Sequence, residues 1–220
     1  MPREAKPILC YVTDRMALAG DLLDVIRRAI NAGVDWIQIR EKDLPTRPLA
    51  ELVRDAVAAA RDSSARILVN DRLDVALAAG AAGVHLGEQS LPVAEVARWR
   101  RSSGPPGFLV GASRHSRAAA VEAERHGADY IIFGPVFATA SKAAYGPPQG
   151  LERLAEVCQS VRIPVLAIGG ITLTNAAACF AAGAAGLAAI RLFQESPDLA
   201  QVVTQLRLST SQHHRSIRPG

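Results

Sequence analysis

Short apolar runs alternate with stretches of helical spacing along almost the whole chain. Eight runs rich in β-branched and aromatic residues predict strands. They are Ile8–Val12, Trp36–Arg40, Ile67–Asn70, Val84–Leu86, Phe108–Gly111, Tyr130–Phe133, Val165–Ile168 and Leu187–Ile190. After each strand, apolar residues recur every three or four positions, which predicts a helix. The predicted helices are Gly20–Ala32, Pro48–Asp62, Leu73–Ala79, Val93–Arg101, Ser116–His126, Gly150–Ser160, Thr174–Ala182 and Pro197–Leu208.

An internal repeat predicts how these elements are arranged. Four segments start with a glycine and run into a strand: Gly33-Val-Asp-Trp36, Gly80-Ala-Ala-Gly83, Gly127-Ala-Asp-Tyr130 and Gly183-Ala-Ala-Gly186. The first three glycines lie 47 residues apart, the length of two βα units. We therefore predict one (βα)₈ barrel over residues 1–208, with an open doubly wound sheet as the alternative. Residues 209–220 are polar and unpatterned, which predicts a disordered C-terminal tail.

Composition narrows the class of protein. Apolar residues make up 49% and charged residues 21% of the 220-residue chain, which is ordinary for a globular protein. No apolar run reaches membrane-spanning length, and the N-terminal one is too short for a signal peptide. Three widely separated cysteines predict no disulfide framework and favour a cytoplasmic location. A net charge of +4 with 5% aromatic residues favours anionic small molecules over nucleic acid. Assembly into a homo-oligomer stays open.

In a barrel of this kind, the active site lies at the C-terminal ends of the strands. Gln38, Arg40 and Lys42 alternate at the end of the second predicted strand and would point to one side. An amide and two cations on one side predict an anion site, because burying them without an anion is costly. The alternative is a solvated strand end whose cations pair with Glu41 or Asp43.

Polar residues also follow the next three strands. Asp71, after Asn70, could hold Mg²⁺ or cap the following helix. His85 is a candidate site residue or a hydrogen-bonded histidine of the barrel interior. Ser116 is a natural cap for the fifth helix, which leaves Ser113 to face the centre of the barrel.

The last three strands predict further anion recognition. The loop after strand 6 carries two hydroxyls and a lysine, and Gly-Gly after strand 7 lets the backbone approach a phosphate. The residues are Thr139, Ser141, Lys142, Gly169, Gly170, Ile190 and Arg191. Two anion sites emerge, one at strands 2, 3 and 6 and the other at strands 7 and 8. No nucleophile and base are paired in the sequence, which favours catalysis by positioning and electrostatics.

Several motifs together resemble the thiamine phosphate synthase family, which also contains thiazole tautomerases. They are Tyr11-Val-Thr-Asp14, Gln38-Ile-Arg-Glu-Lys42, Asn70-Asp71, His85-Leu-Gly87, Gly134-Pro-Val-Phe-Ala-Thr139 through Lys142, and Ala167-Ile-Gly-Gly-Ile171. The match covers about Tyr11 to Gln194, and each motif comes at the end of a predicted strand. The resemblance implies a transferase of thiamine biosynthesis that joins a pyrimidine diphosphate to a thiazole phosphate and releases pyrophosphate.

The resemblance also implies roles for the candidate residues. The diphosphate would be held by Gln38, Arg40, Lys42, Asn70 and Lys142. Asp71 would bind Mg²⁺, and Ser113 would contact the pyrimidine or the leaving group. The thiazole phosphate would be held by Thr139, Ser141, Gly170, Ile190 and Arg191. Mg²⁺ and the cations Arg40, Lys42 and Lys142 would take up the charge of the departing diphosphate, after which the thiazole nitrogen captures a pyrimidine cation.

The chain departs from the synthase pattern at two positions. Ser90 stands where synthases usually carry a second metal-binding Asp, although Glu88 is near, and Arg191 stands where they usually carry Ser. Ser90 is reminiscent of the tautomerase branch, but Pro135 replaces the catalytic His of that branch and cannot transfer a proton. A thiamine phosphate synthase is therefore the main hypothesis. A tautomerase-like thiazole phosphate isomerase and a non-catalytic regulatory relative are the alternatives.

Overall fold

A computed structural model describes residues 6–139 and 147–215 of the chain, with side chains to residue 210. Eight parallel strands are hydrogen-bonded in sequence order, and β8 closes onto β1. The strands are β1 Ile8–Val12, β2 Trp36–Ile39, β3 Arg66–Asn70, β4 Gly83–Leu86, β5 Leu109–Arg114, β6 Tyr130–Phe133, β7 Val165–Ile168 and β8 Gly186–Ala189. The predicted (βα)₈ barrel is confirmed, and the open sheet is excluded.

Helices surround the barrel. They are α1 Leu22–Asn31, α2 Thr46–Ala59, α3 Leu73–Ala78, α4 Val93–Ser103, α5 Arg117–Arg125, α6 Gly150–Ser160, α7 Ala176–Ala181, α8 Arg191–Gln194 and α9 Leu199–Arg215. Each predicted helix is present, with ends that shift by a few residues. The predictions missed α8 and a 3₁₀ turn at Arg15–Ala17, because elements of one turn are too short to show a period.

The last helix extends beyond the predicted boundary at Leu208. It continues to Arg215, and residues 216–220 lie outside the described part of the chain. In the extension, Ser209 Oγ donates to the Gln205 carbonyl at 2.9 Å and Thr210 Oγ1 donates to the Arg207 carbonyl at 2.8 Å. Such bonds let hydroxyl residues remain inside a helix, which the unpatterned sequence did not predict.

Two apolar clusters stabilise the barrel. The larger one packs the outer face of the strands against the helices, with residues such as Ile26, Ile39 and Leu154. The smaller one fills the barrel interior with Cys10, Val12, Leu68, Tyr130, Ile132, Leu166 and Ala188. The four repeat glycines, Gly33, Gly80, Gly127 and Gly183, all have positive φ, as expected where a helix turns into the next strand.

The repeat also closes the N-terminal end of the barrel interior. Strands β2, β4, β6 and β8 begin with Trp36, Gly83, Tyr130 and Gly186, and barrel interiors are filled in layers of four side chains from alternate strands. The rings of Trp36 and Tyr130 meet with centroids 4.6 Å apart, and Gly111 leaves room for the phenol, since a Cβ there would overlap the Tyr130 ring. The barrel interior is therefore closed at its N-terminal end, and a cavity of the interior opens at the C-terminal end.

The three cysteines are free thiols. Burial raises the pKa of Cys10 to about 12, of Cys158 to about 11 and of Cys179 to about 12. Buried thiols of this kind are poor nucleophiles, in agreement with the expectation that catalysis does not use one. Within the described residues, no helix combines the length and apolarity needed to cross a membrane.

Candidate active site

Two adjoining cavities open at the C-terminal end of the barrel. The polar cavity, of about 130 Å³, is lined by Gln38, Arg40, Asn70, His85, Ser113 and His115. The glycine cavity, of about 240 Å³, is lined by Thr139, Gly169, Gly170, Ile171, Arg191 and Leu192. Asp14, Ile168 and Ile190 line both cavities, and we refer to these three residues as the seam. The two cavities correspond to the two predicted anion sites, except that the loop after strand 6 contributes to the glycine cavity.

An amide pair forms one wall of the polar cavity. Gln38, which is 3% exposed, donates from Nε2 to Asn70 Oδ1 at 3.0 Å. Its Oε1 is buried and has no hydrogen-bond partner within the described residues. A buried acceptor without a partner is costly, so this oxygen suits a ligand that presents an N–H or O–H group. This geometry favours contact between Gln38 and such a donor over contact with phosphate oxygens.

A buried acid holds the backbone at Arg40. The Arg40 N–H donates to Thr13 Oγ1 at 3.0 Å, and the Thr13 hydroxyl donates to the Glu41 carboxylate. The same carboxylate accepts the Arg15 backbone N–H at 3.0 Å. Glu41 is only 4% exposed. Its carboxylate accepts hydrogen bonds that join the loop after β1 to the end of β2. This arrangement replaces the predicted alternative in which Glu41 pairs with the cations beside it.

Lys42 does not share the cavity with its neighbours. The strand ends before Arg40, and the chain turns at Glu41, whose carbonyl accepts the Leu44 N–H at 3.3 Å. Lys42 is exposed and does not line either cavity. The predicted alternation therefore holds for Gln38 and Arg40 and fails for Lys42, because the extended conformation ends.

A buried histidine orients Ser113. His85, which is 1% exposed, has Nε2 2.7 Å from Ser113 Oγ and Nδ1 3.1 Å from the Tyr130 hydroxyl. Burial raises the pKa of Tyr130 well above its usual value, so the phenol keeps its hydrogen and can donate it to Nδ1. In the tautomer that accepts this hydrogen, Nε2 carries the ring hydrogen and donates to Ser113. The Ser113 hydroxyl hydrogen is left to point at a ligand.

Two related predictions are confirmed here. Ser113 lines the polar cavity, and Ser116 caps α5 by accepting the Ala119 N–H at 3.2 Å. His85 also fits the expectation of a hydrogen-bonded interior histidine.

Asp71 directly follows Asn70, which lines the polar cavity, and it has an unusual backbone conformation. It is the one non-glycine residue of the described chain with positive φ, at 67°, and its backbone N–H donates to the His85 carbonyl at 2.8 Å. Arg72, and not Asp71, occupies the N-cap position of α3, so the capping alternative is wrong. The Asp71 carboxylate is exposed, and its position is set by the turn after β3 and not by the N-terminus of α3.

The described residues contain no group of three or more His, Cys, Asp and Glu side chains that could hold a metal ion. One carboxylate is nevertheless enough for Mg²⁺, which keeps several waters and takes substrate phosphates as ligands. Ser90 adds no ligand in this conformation, since its Oγ accepts the Gly87 N–H at 2.7 Å and closes the turn after β4. Asp71 therefore fits a Mg²⁺ ion that is completed by water and phosphate oxygens.

Glycine is required at both positions after β7. Gly169 and Gly170 have φ of 97° and 65°, a region that favours glycine. A Cβ on Gly169 would lie 2.5 Å from the Cβ of Pro135, and one on Gly170 would lie 2.6 Å from the Ala138 carbonyl oxygen. The close packing of the loops after β6 and β7 thus adds a second reason for a pair that the sequence linked only to phosphate.

The other predicted residues of the second anion site lie as follows. Thr139, Gly170, Ile190 and Arg191 line the glycine cavity. Arg191 is exposed at the first position of α8, so it borders the cavity without filling it. Ser141 and Lys142 lie outside the described residues.

Sequence reasoning missed a clamp on the loop after β1. The buried side chain of Gln194 accepts the Tyr11 hydroxyl at 2.8 Å and the Asp14 N–H at 3.2 Å, and it donates to the Asp14 carbonyl at 2.8 Å. The motif Tyr11-Val-Thr-Asp14 includes Asp14 in the family resemblance, but it does not predict that Asp14 lies on the seam. Sequence reasoning also missed His115, which lines the polar cavity and whose Nδ1 forms a hydrogen bond with the Gly134 carbonyl.

Fold and site together define a class. The fold is a (βα)₈ barrel with two adjoining cavities at the C-terminal ends of its strands, which is where enzymes of this fold carry their active sites. A family model described as thiamine monophosphate synthase matches residues 9–193. The chain belongs to this thiamine monophosphate synthase family.

Individual proteins show the same similarity. The chain is 47% identical to a thiamine-phosphate synthase of Methanoculleus marisnigri over 84% of this chain and 85% of the relative. It is 42% identical to one of Chlorobium luteolum, over 87% and 88% respectively. A solved thiamine phosphate pyrophosphorylase from Pyrococcus furiosus superposes with a TM-score of 0.82 at 34% identity, covering 95% of this chain and 98% of the other.

Proposed function

We propose that this chain is a thiamine-phosphate synthase. It joins hydroxymethylpyrimidine diphosphate to hydroxyethylthiazole phosphate and yields thiamine phosphate and pyrophosphate. The observation that carries the proposal is the seam, because two cavities that share Asp14, Ile168 and Ile190 allow two ligands to meet end to end. Membership of the family and the similarity to named synthases support the choice of substrates.

The polar cavity would take the pyrimidine diphosphate. The unpartnered Oε1 of Gln38 suits the amino group of a pyrimidine, while Arg40 and Asn70 are close enough to the mouth to hold diphosphate oxygens. Ser113 would donate its hydroxyl hydrogen to the pyrimidine or the leaving group. Lys42 would reach the diphosphate only from the rim.

Asp71 would hold Mg²⁺ beside that diphosphate. The bound ion would neutralise charge on the departing oxygens, as Lewis-acid metals do in such reactions. Lys142, from the loop after β6, would add a cation to the same group.

The glycine cavity would take the thiazole phosphate. Its phosphate would lie against Gly170, Ile190 and Arg191, with the hydroxyls of Thr139 and Ser141 as further donors. A ring held in this cavity would face the seam, so that its nitrogen could reach the pyrimidine side.

The reaction then balances in two steps. The bond between the pyrimidine methylene carbon and the diphosphate oxygen breaks, and the electron pair leaves with the diphosphate. The lone pair of the thiazole nitrogen next forms a bond to the methylene carbon, and the ring becomes a thiazolium cation. Arg40 and Lys142 would stabilise the leaving group, and the walls of the cavities would keep the cation from water.

Product formation from the two phosphorylated precursors, with Mg²⁺ and with a chelator, tests the proposal. We expect thiamine phosphate only in the presence of Mg²⁺. If the folded protein binds the thiazole phosphate without making product, a regulatory relative replaces the synthase. Conversion of thiazole isomers without the pyrimidine would instead indicate a tautomerase, although Pro135 lacks the proton that such an enzyme transfers. We further propose that the chain works in the cytoplasm.

A further inference from the structure

The carboxylate of Asp14 lies on the seam and has no hydrogen bond or ion pair with the side chains and backbone that the structure describes. Asp14 is half-buried and lines both cavities. It begins the 3₁₀ turn at Arg15–Ala17, yet its side chain makes no capping hydrogen bond. Within the described residues, the carboxylate also forms no salt bridge. Neither helix capping nor ion pairing therefore explains an acid at this position.

The charge of Asp14 is opposite to the charge that the two cavities would otherwise favour. Arg40 lines the polar cavity and Arg191 lines the glycine cavity, as anionic ligands require. A carboxylate between them repels phosphate groups on both sides. It is favourable where the parts of the ligands that meet at the seam are positively charged.

The surroundings of Asp14 strengthen such an attraction. The other two seam residues, Ile168 and Ile190, are apolar and provide no competing hydrogen-bond donor from their side chains. Charges beside apolar side chains are screened less than charges in water. One carboxylate therefore exerts a larger effect here than it would on an open surface.

The position of Asp14 is set by its main chain. Gln194 binds both the N–H and the carbonyl of Asp14, and burial raises the pKa of Tyr11, whose hydroxyl stays protonated and donates to Gln194. These contacts do not involve the Asp14 side chain. A substitution of that side chain should consequently leave the loop in place.

We propose that Asp14 is a catalytic residue whose carboxylate stabilises the positive charge that develops at the junction of the two substrates. The charge appears first on the pyrimidine methylene as the diphosphate leaves, and then on the thiazole ring when its nitrogen forms the new bond. The inference rests on the proposed function. It assigns to Asp14 an electrostatic role and no proton transfer, so no further reactant is needed.

The test compares a neutral ligand with a cationic one in wild type and Asp14→Asn. The probes are hydroxyethylthiazole phosphate and the same compound methylated on its ring nitrogen, and binding is measured by calorimetry. We expect Asp14→Asn to weaken binding of the cation about tenfold relative to the neutral ligand, the size expected for one partly screened charge pair. We also expect kcat to fall about 100-fold with little change in either KM. Asp43→Asn is the matched control, since Asp43 is exposed at the same end, pairs with Arg15 and lines neither cavity.

The outcomes separate the inference from the proposed function. Equal loss of affinity for both probes, or no change for either, would overturn the role of the Asp14 charge. A wild-type protein that forms no thiamine phosphate would overturn the proposed function, and the ratio of the two affinities would still decide whether Asp14 recognises a cation. Active wild type with an equally active Asp14→Asn would reject the inference and keep the synthase.

Discussion

The two ends of the barrel use aspartate in opposite ways. At the closed N-terminal end, Asp129 accepts the backbone N–H of Val110 at 2.7 Å and also binds the Arg100 guanidinium. Asp35, at the equivalent position of the internal repeat, accepts the backbone N–H of Leu9 at 2.8 Å and has cationic partners of its own. Each carboxylate joins two neighbouring strands, and its charge is fully used by the protein.

At the open end the carboxylates of Asp14 and Asp71 have no hydrogen bond or salt bridge to the described residues, and the Oε1 of Gln38 is unpartnered as well. Asp71 in addition holds a left-handed backbone, which costs free energy for a residue other than glycine. Polar groups that the fold leaves unpaired mark the place where ligands are expected to complete them. The contrast predicts that substitutions of these residues at the closed end change stability, whereas substitutions at the open end change activity.

The largest effect is expected for Asp71→Asn. Asparagine tolerates the left-handed conformation, so the fold should persist while the negative charge of the proposed Mg²⁺ ligand is lost. We expect turnover to fall by about 1000-fold, the scale of losing a group that stabilises transition-state charge. Initial rates at increasing Mg²⁺ concentration provide the measurement.

Asp74→Asn is the control for that experiment. Asp74 is an exposed acid three residues away that pairs with Arg72, and surface pairs contribute little. Its rate should stay within about twofold of wild type. A similar rate for Asp71→Asn and Asp74→Asn would show that Asp71 does not hold the metal.

Asp129→Ala should produce the opposite result at the closed end. The change leaves the buried N–H of Val110 and the charge of Arg100 without their partner, which should lower the free energy of unfolding by about 2 kcal/mol. Urea unfolding would measure this change, and kcat and KM should remain unchanged.

Asp14→Asn, at the open end, should leave the unfolding free energy within about 0.5 kcal/mol of wild type. A loss of activity in folded Asp129→Ala would contradict the prediction that the closed end affects stability and not activity.

The closed end was the easier one to predict from sequence. The repeat of glycine followed by a strand identified the barrel, and it did so because each βα unit makes the same local turn. Three strands, such as Tyr130–Phe133, have the bounds that the apolar runs predicted. The periodic spacing of apolar residues predicts the strands and helices. The extension of α9 beyond Leu208 has no such period and was missed.

At the open end, the alternation of side chains was predicted correctly only as far as the strand conformation continues. Gln38 and Arg40 follow the alternation, but Lys42 does not, because a turn intervenes that no residue pattern announced. The clamp on Asp14 was out of reach for a different reason. Gln194 is 180 residues away in sequence and belongs to a single-turn helix, so only the closure of the barrel brings the two together.

The smallest effect is expected where the two ends are connected. Tyr130 begins a strand in the closed layer, yet its hydroxyl reaches His85, which in turn bonds Ser113 in the polar cavity. Tyr130 is thus a positioning residue that acts through His85. Tyr130→Phe should lower kcat about fivefold to tenfold with KM nearly unchanged, since one orienting hydrogen bond contributes about 1 kcal/mol. It should also change the ¹⁵N shifts of the His85 ring, because Nδ1 loses its donor and the preference for hydrogen on Nε2 weakens.

Tyr11→Phe separates this effect from a general loss of packing. It removes another buried hydroxyl, the one that donates to Gln194, and should destabilise the protein by a similar amount without altering the His85 shifts. If Tyr130→Phe leaves the His85 ring unchanged while kcat falls, its hydroxyl does not act through His85. If Tyr130→Phe changes the His85 shifts and lowers kcat, while Tyr11→Phe leaves the shifts unchanged, then Tyr130 at the closed end positions the Ser113 hydroxyl at the open end through His85.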